Sequence, residues 1–343
     1  MDIIVPAAGL STRFPGMKPK YLLYSHDHRM MLHQALADLH RAGHRLHIGV
    51  LEEHDMKYNV YEQLTTEWGD NFLLHTLEEL TSGPAETVYQ LLIRSKIPDD
   101  APFLVRDCDS FFEHTVSEGN YVCFSDIADH EVLTRLGSKS FIVSNEQGTI
   151  TNIVEKKVVS NKFCVGAYKF ESAGQYKQYY EKLSSEKEVY VSDVISAMLQ
   201  DGIIFNEKKV TNYVDVGTAK EWFEYNDKPV IFCDIDGTII AAQGRVGNNS
   251  YENAPRILQN NVNRLLEMQA KGCELIFTTA REACYRDLTR RTLDNLGFRH
   301  YRLIDDLPNA KRIIINDYNN ANPYPRAEAI NLYRDSDNLR DFL

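Results

Sequence analysis

The sequence predicts an α/β protein made of two doubly wound domains, residues 1–227 and 228–343. Three observations carry that prediction. Strand-length apolar runs alternate with amphipathic helix-length runs twice along the chain. Two of the strands, Ile3–Val5 and Val230–Cys233, each break into a polar, glycine-containing loop at the head of their own pattern. A chain of 343 residues is also long for a single hydrophobic core and suits two.

The elements follow in order. After Ile3–Val5, Met31–Ala42 sets Leu32, Ala35, Leu36 and Leu39 on one helical face and stops at Gly43. Leu46–Leu51 and Phe72–Leu77 read as strands. Pro84 opens a helix whose apolar face is Val88, Leu91 and Leu92. Phe103–Val105 is a strand running out at Asp107 and Asp109. The β-α-β order implies parallel strands with right-handed crossovers. From Tyr121 to Phe170 the pattern turns strand-rich, with a hairpin of Ser140–Ser144 and Ile150–Glu155 around Glu146-Gln147-Gly148. Ser192 is expected to cap a helix through Met198, and Val214–Val216 to form the last strand of this domain. Asp193 suits a helix start better than a metal, and Tyr176, Tyr179 and Tyr180 suit helix packing.

The boundary falls near Asn226–Pro229 with almost no linker. Beyond it come a strand at Val230–Cys233, a helix at Ile257–Met268, a strand at Glu274–Phe277, a helix at Arg286–Leu296 and a strand at Arg312–Ile315. In such sheets function gathers at the carboxyl ends of the strands. There the sequence places its polar clusters, including Asp234–Asp236, Thr278–Arg281 and Asn316-Asp317.

Composition narrows the classes. The 49 Asp and Glu against 38 Lys and Arg argue against a nucleic-acid groove. The six cysteines form no CxxC pair and several lie in apolar runs, which reads as reduced core thiols. No apolar run approaches the ~20 residues that span a bilayer, and the start shows no leader pattern. The expectation is a cytoplasmic protein without membrane insertion; the oligomeric state stays open.

The first loop carries Ala7-Ala8-Gly9, then Arg13, then Pro19-Lys20. Gly9, beside Ala8, allows close backbone approach to a phosphate, and Arg13 and Lys20 are cations for it. This string resembles the nucleotidyltransferases that make nucleotide-sugars and CDP-alcohols, whose loop reads G-x-x-x-R followed by P-K. Further motifs follow in that family's order. Gly83-Pro84-Ala85-Glu86-Thr87 looks like its base-and-ribose loop, and Asp107-Cys108-Asp109 like its strand-end metal aspartate. Glu155-Lys156 resembles its acceptor-binding pair, and Asp215-Val216-Gly217-Thr218 its late D-x-G-T. The resemblance covers residues 1 to about 225 and implies a Rossmann-like domain with a mixed sheet.

It implies in turn that Gly83 and Ala85 bind the nucleotide and that Glu155 and Lys156 bind the acceptor. Asp109 and Asp215 would hold Mg²⁺, while Lys20 and Arg13 stabilise the reacting phosphates. The acceptor's own phosphate attacks, so no protein nucleophile is needed. CTP or UTP is the favoured triphosphate, and the acceptor is a phosphorylated sugar or small alcohol. Leu10-Ser11-Thr12 stands where many members have a second glycine. Asp107 also reads as a structural strand-end cap, and Glu155 as a surface charge in the hairpin.

Asp234-Ile235-Asp236-Gly237-Thr238 resembles motif one of the haloacid dehalogenase (HAD) superfamily. The resemblance implies Asp234 as a carboxylate nucleophile and Asp236 as the acid that protonates the leaving oxygen and later activates water. Thr279, in Thr-x-Arg with Arg281, matches motif two, and Asp317 the acidic motif that completes a Mg²⁺ site with Asp234 and Asp236. Lys311 is the candidate cation of motif three, with Arg302 and Arg299 behind it. Asn316 stands where many members have another acid. Only Ala241–Pro255 follows motif one before the next helix, as in the capless branch, and Asn319–Asn331 reads as a rigid surface turn.

The reading is a bifunctional enzyme: an Mg²⁺-dependent nucleotidyltransferase releasing pyrophosphate, fused to an Mg²⁺-dependent phosphatase working through an aspartyl-phosphate. By analogy, such fusions supply activated units for surface polysaccharide or lipid head groups. Two alternatives stand beside it. Asp107-x-Asp109 also reads as the D-x-D of a glycosyltransferase, against which the Arg13 and Pro19-Lys20 loop argues. A nucleotide-sensing protein with one inactive domain is the other, against which the intact Asp109, Asp215, Asp234, Asp236 and Lys20 argue.

Overall fold

The computed structural model describes residues 1–130, 136–183, 188–242, 256–316 and 327–343. They form two compact units, Met1–Asn226 and Asp227–Leu343.

The first unit opens with β1 (Asp2–Pro6), α1 (Met31–Arg41), β2 (Arg45–Leu51), α2 (Glu52–Tyr58), α3 (Val60–Trp68) and β3 (Phe72–Leu77). Then come α4 (Pro84–Arg94), β4 (Phe103–Arg106), β5 (Ser110–Glu113), β6 (Tyr121–Asp126), β7 (Phe141–Ser144), β8 (Ile150–Val154) and β9 (Lys162–Phe170). It closes with α5 (Ala173–Leu183), α6 (Val191–Gln200), β10 (Asn206–Lys209), β11 (Thr211–Asp215) and α7 (Ala219–Asn226). The sheet runs β10-β6-β9-β4-β1-β2-β3. Strands β4, β1, β2 and β3 are parallel, and β9 enters antiparallel between β4 and β6.

Alternation along β1 explains the layering. Ile3 and Val5 face one core with Leu32, Leu36 and Leu39 of α1 and Leu64 and Trp68 of α3. Ile4, on the opposite pleat, joins Val88, Leu91 and Leu92 of α4, Tyr176 of α5, and Ile195 and Met198 of α6. The tyrosines of α5 are buried, as packing residues.

Three local readings change. The helix expected to be capped by Ser192 starts at Val191, so Ser192 lies inside it. Its hydroxyl donates to Glu155 Oε2 at 2.6 Å. The start is tied instead by Asp193, whose Oδ2 accepts the Tyr190 N–H at 2.8 Å. The expected last strand is Thr211–Asp215 and pairs with β5 in a separate two-stranded ribbon. Helices α2 and α3 carry the β2–β3 crossover, which the sequence reading left without named residues.

The second unit holds β12 (Val230–Asp234), α8 (Gln259–Ala270), β13 (Glu274–Thr278), α9 (Arg286–Asn295) and β14 (Arg302–Ile304). The strands form one parallel sheet in that order. Phe277 meets Phe298 with ring centroids 4.9 Å apart, inside a core with Ile235, Val262, Leu265 and Leu293. The last strand is Arg302–Ile304 rather than Arg312–Ile315. Ile313 and Ile315 are 73% and 89% exposed, and among the described residues this apolar run pairs with no strand. The helix expected from Ile257 begins at Gln259, because Ile257 is bridged to Ile240. Of the six cysteines five are buried, and Cys284 is exposed.

A buried polar group supports the turn beyond β4. Arg106 is fully buried, with its guanidinium 3.6 Å from the centre of the Phe112 ring. It donates to the Asp107 carbonyl and to Ser110. Nearby, His114 hydrogen-bonds the Tyr121 hydroxyl at 2.9 Å. Burial, and then the charges of Arg106, Lys208 and His44, push His114 down to about 3. His114 is therefore neutral in the folded protein but takes a proton near pH 6.5 when unfolded. The unfolded state binds more protons below that pH, so stability falls as pH drops from about 6.5 toward 3, by at most ~1.4 kcal/mol per unit. Urea unfolding at pH 7 and pH 4.5 should show a smaller acid loss for His114→Gln than for the parent. Equal losses would place the acid sensitivity elsewhere.

Candidate functional site

The first site is built by pairing of distant segments. Strand β11 pairs antiparallel with β5, setting Asp215 opposite Ser110. The Val216 N–H donates to the Asp109 carbonyl at 3.0 Å. Asp109 and Asp215, far apart in sequence, are thereby neighbours. The closeness is measured at Gly217: a Cβ there would lie 3.1 Å from a carboxylate oxygen of each, and 3.5 Å from the Arg13 guanidinium.

The loop that carries Arg13 and Lys20 is pinned to the same place. Phe14 is buried with Leu23, Met31, Val216 and Trp222, which fixes Arg13 beside it. The Ala219 N–H donates to the Arg13 carbonyl. Ser11, with φ of 53°, accepts the Lys20 N–H on its hydroxyl at 3.0 Å. Ala8 is buried, while Gly9 is exposed with open space where a side chain would stand.

Charges then pair across the loop. Lys20 Nζ sits 2.5 Å from Asp109 Oδ2, and Arg13 Nη2 at 3.4 Å from the same oxygen. Burial alone would raise Asp109, but Lys20 and Arg13 hold it well below the usual carboxylate range. Burial would lower Lys20, and the Asp109 charge reverses this and raises it. Asp107 behaves oppositely. Burial, then the Asp109 charge, push it up to about 7. Its N–H donates to the Gly166 carbonyl, and its carboxyl lies over Gly166, where a Cβ would overlap it. Asp107 thus has the structural part that one reading gave it. Cys108 is buried and pushed up to about 12, so it is a thiol and no nucleophile.

One residue of this cluster has no motif in the sequence. Lys139, just ahead of β7, is ion-paired with Asp215 and donates to the Tyr213 hydroxyl at 2.8 Å. Three cations therefore surround two carboxylates, in a chain whose net charge is −11. The only sequence signal was a lysine next to a strand start in a strand-rich region.

Among the described residues no group of three or more His, Cys, Asp or Glu side chains is arranged to hold a metal by itself. The pair Asp109 and Asp215 nonetheless suits Mg²⁺, which takes one or two carboxylates and completes its shell with water and substrate phosphates.

Gly83, Ala85 and Lys156 meet at residues 188–190, and Glu155 lies close by. A Cβ on Gly83 would lie 2.9 Å from the Val189 carbonyl oxygen, and the Ala85 N–H donates to that carbonyl at 3.2 Å. Lys156 is exposed, with φ of 54°, and its ammonium lies 4.1 Å from the centre of the Tyr190 ring. Glu155 is no free surface charge, since the Ser140 and Ser192 hydroxyls both donate to it, joining the head of β7 to α6.

In the second unit Asp234 ends β12 and pairs in register with Thr278 of β13. Asp234 is exposed at the strand end, yet desolvation by its surroundings and then the charge of Asp236 push it up to about 6. Asp236 is clamped: Arg281 Nη2 donates to its Oδ1 at 2.7 Å, Arg281 Nε to its Oδ2 at 2.9 Å, and Thr279 Oγ1 to Oδ2 at 3.2 Å. Arg312 and Arg334 partly offset that rise; both are exposed, as is Lys311. Arg302 pairs with Glu274 at the opposite end of the sheet, and Arg299 donates to the Asp294 and Phe298 carbonyls. Asp317 lies outside the described residues, as do most of Ala241–Pro255 and part of Asn319–Asn331. Arg334 belongs to a C-terminal segment that packs on motif one: the Asp335 N–H donates to the Gly237 carbonyl at 2.9 Å. Asn261 ties Thr238 to Ser336 and Leu339.

No protein-family model and no curated protein sequence matches the chain. Solved structures do. A nucleoside-diphosphate-sugar pyrophosphorylase from Vibrio cholerae RC9 superposes with a TM-score of 0.55 at 19% identity, over 65% of this chain and 98% of its own. An inositol-1-phosphate CTP transferase from T. maritima gives 0.54 at 16% identity, over 64% and 90%. A UDP-glucose pyrophosphorylase complexed with UDP-glucose gives 0.50 at 17%, over 65% and 96%. The share of this chain covered is close to that of Met1–Asn226. The chain thus contains a mixed α/β sheet fold that these nucleotidyltransferases share. No helix among the described residues is long and apolar enough to cross a membrane.

Proposed function

We propose that the first unit transfers a nucleotidyl group from a nucleoside triphosphate, CTP or UTP by preference, to the phosphate of a sugar or small alcohol, releasing pyrophosphate. The observation that carries this reading is the convergence of Arg13, Lys20 and Lys139 on Asp109 and Asp215, in a fold shared with pyrophosphorylases and a CTP transferase. An acceptor phosphate oxygen attacks the α-phosphorus, and pyrophosphate leaves. Asp109 and Asp215 would hold Mg²⁺, which when bound supplies positive charge to the reacting phosphates. Arg13 and Lys20 stabilise the charge that grows on them during transfer. Lys156, the exposed cation beside Tyr190, offsets repulsion between the acceptor phosphate and the triphosphate. Gly83 and Ala85 shape the nucleotide loop.

The second unit is proposed as an Mg²⁺-dependent phosphatase, with Asp234 as nucleophile and Asp236 as acid and base, on the strength of Asp234, Asp236 and Thr279 meeting at the carboxyl ends of β12 and β13. Asp317 would complete its metal site. Lys311 is the proposed screening cation, together with Arg312 and Arg334, whose charges act on Asp234. As a whole, the chain would be a bifunctional enzyme of activated sugar or alcohol synthesis.

The test is a screen of four NTPs against phosphorylated sugars, polyols and amino alcohols, with pyrophosphate release as readout. Release with one pairing supports the transferase. Hydrolysis of a sugar nucleotide without pyrophosphate chemistry would move the assignment to a glycosyltransferase. In the active pairing, Lys20→Ala should lower kcat by about 10²–10³, the loss of one transition-state donor. A raised KM with unchanged kcat would show that Lys20 only binds.

A further inference from the structure

We infer that Lys139 is a phosphate-binding cation that changes partners: it holds Asp215 before substrate arrives and passes to the triphosphate when a divalent ion takes that carboxylate. The inference rests on the nucleotidyltransferase reading and deepens it.

The geometry leaves Lys139 little alternative. Asp215 Oδ1 is committed to the Gly217 N–H at 3.0 Å, so Oδ2 is its other acceptor, and Lys139 is paired with it. The Lys139 side chain is only 12% exposed. Phe163 and Tyr213 flank its ammonium, with ring centres 5.4 and 5.3 Å away, and the Tyr213 hydroxyl accepts from it. An ammonium so enclosed is costly to leave unpaired. A dication drawn to Asp109 and Asp215 competes directly for Oδ2. Lys139 stands beside the same two carboxylates around which Arg13 and Lys20 gather. Of the three cations, Lys20 and Arg13 share Asp109, and Lys139 alone pairs with Asp215. It is thus the cation that metal binding at Asp215 would free.

This makes a paired prediction that a purely structural lysine does not share. Lys139→Met removes both a phosphate partner and a competitor for Asp215. Binding of CTP, with UTP in parallel, is measured by calorimetry without acceptor, at saturating Mg²⁺ and again in EDTA, and the Mg²⁺ dependence of pyrophosphate release is measured separately. The variant should bind the nucleotide about tenfold more weakly at saturating Mg²⁺, the scale of one charge-assisted hydrogen bond, and lose less in EDTA, where Lys139 of the parent stays on Asp215. Its half-saturating Mg²⁺ concentration at saturating nucleotide should fall below that of the parent. Lys139→Arg should restore nucleotide binding to near the parent. If Lys139→Met does not fold, Lys139→Gln, which retains a hydrogen bond toward Asp215 and Tyr213, carries the same two measurements. Nucleotide affinity within twofold of the parent, or a Mg²⁺ requirement unchanged or raised, overturns the assignment of Lys139 alone. A parent protein that binds neither nucleotide overturns the underlying reading with it.

Discussion

Asp109→Asn and Asp215→Asn should each cut pyrophosphate release by at least about 10³-fold while leaving phosphomonoester hydrolysis within about twofold of the parent. The two carboxylates are adjacent only because β5 and β11 pair, and they are the acidic pair around which Arg13, Lys20 and Lys139 gather. Asparagine keeps the shape and removes the charge. At position 109 it leaves Lys20 and Arg13 facing a neutral amide. At position 215 it keeps an oxygen for the Gly217 N–H but weakens the hold on a divalent ion. Steady-state pyrophosphate release, with thermal unfolding as a control on folding, makes the measurement. A variant that folds and retains transfer within a few-fold of the parent would remove both residues from the metal site.

The second large effect is expected at Asp234. A carboxamide does not form an aspartyl-phosphate, so Asp234→Asn should reduce phosphatase turnover to background, a loss on the order of 10⁴-fold or more for a nucleophile. Nucleotidyl transfer should survive. Asp236→Asn should behave differently. Both oxygens of Asp236 accept from Arg281 and Thr279, so its carboxyl has to exchange some of that pairing to reach a leaving group. Its amide variant should still capture a phosphoryl group, slowly, and release it poorly, visible as a burst followed by a weak steady state. Beryllium fluoride with Mg²⁺ should place density on the Asp234 carboxylate. Density bound elsewhere, or a fully active Asp234→Asn protein, would exclude the covalent route.

Local patterns were read well where a short stretch of chain decides the outcome. The strand at Phe72–Leu77, the α1 face of Leu32, Leu36 and Leu39, and the Pro84 helix follow from side-chain period and helix-start chemistry within a few residues. Apolar content misled at Ile313–Ile315, because a strand also needs a partner edge and, among the described residues, none meets this run. Ser192 misled for a related reason. Serine suits a helix cap in isolation, but here Glu155, 37 residues away, takes its hydroxyl into the interior of α6.

The sequence by itself determined the alternating α/β plan, most of its strands and helices, and the polar loops at Gly9–Lys20 and Asp234–Thr238, since each is written in contiguous residues. Only the tertiary structure decided which of those groups meet. The β5–β11 ribbon brings Asp215 to Asp109, the head of β7 delivers Lys139 to Asp215, and Arg281 closes on Asp236 from across β13. The physical reason is that an ion pair depends on distance in space, and strand pairing sets that distance between segments that have no periodicity in common.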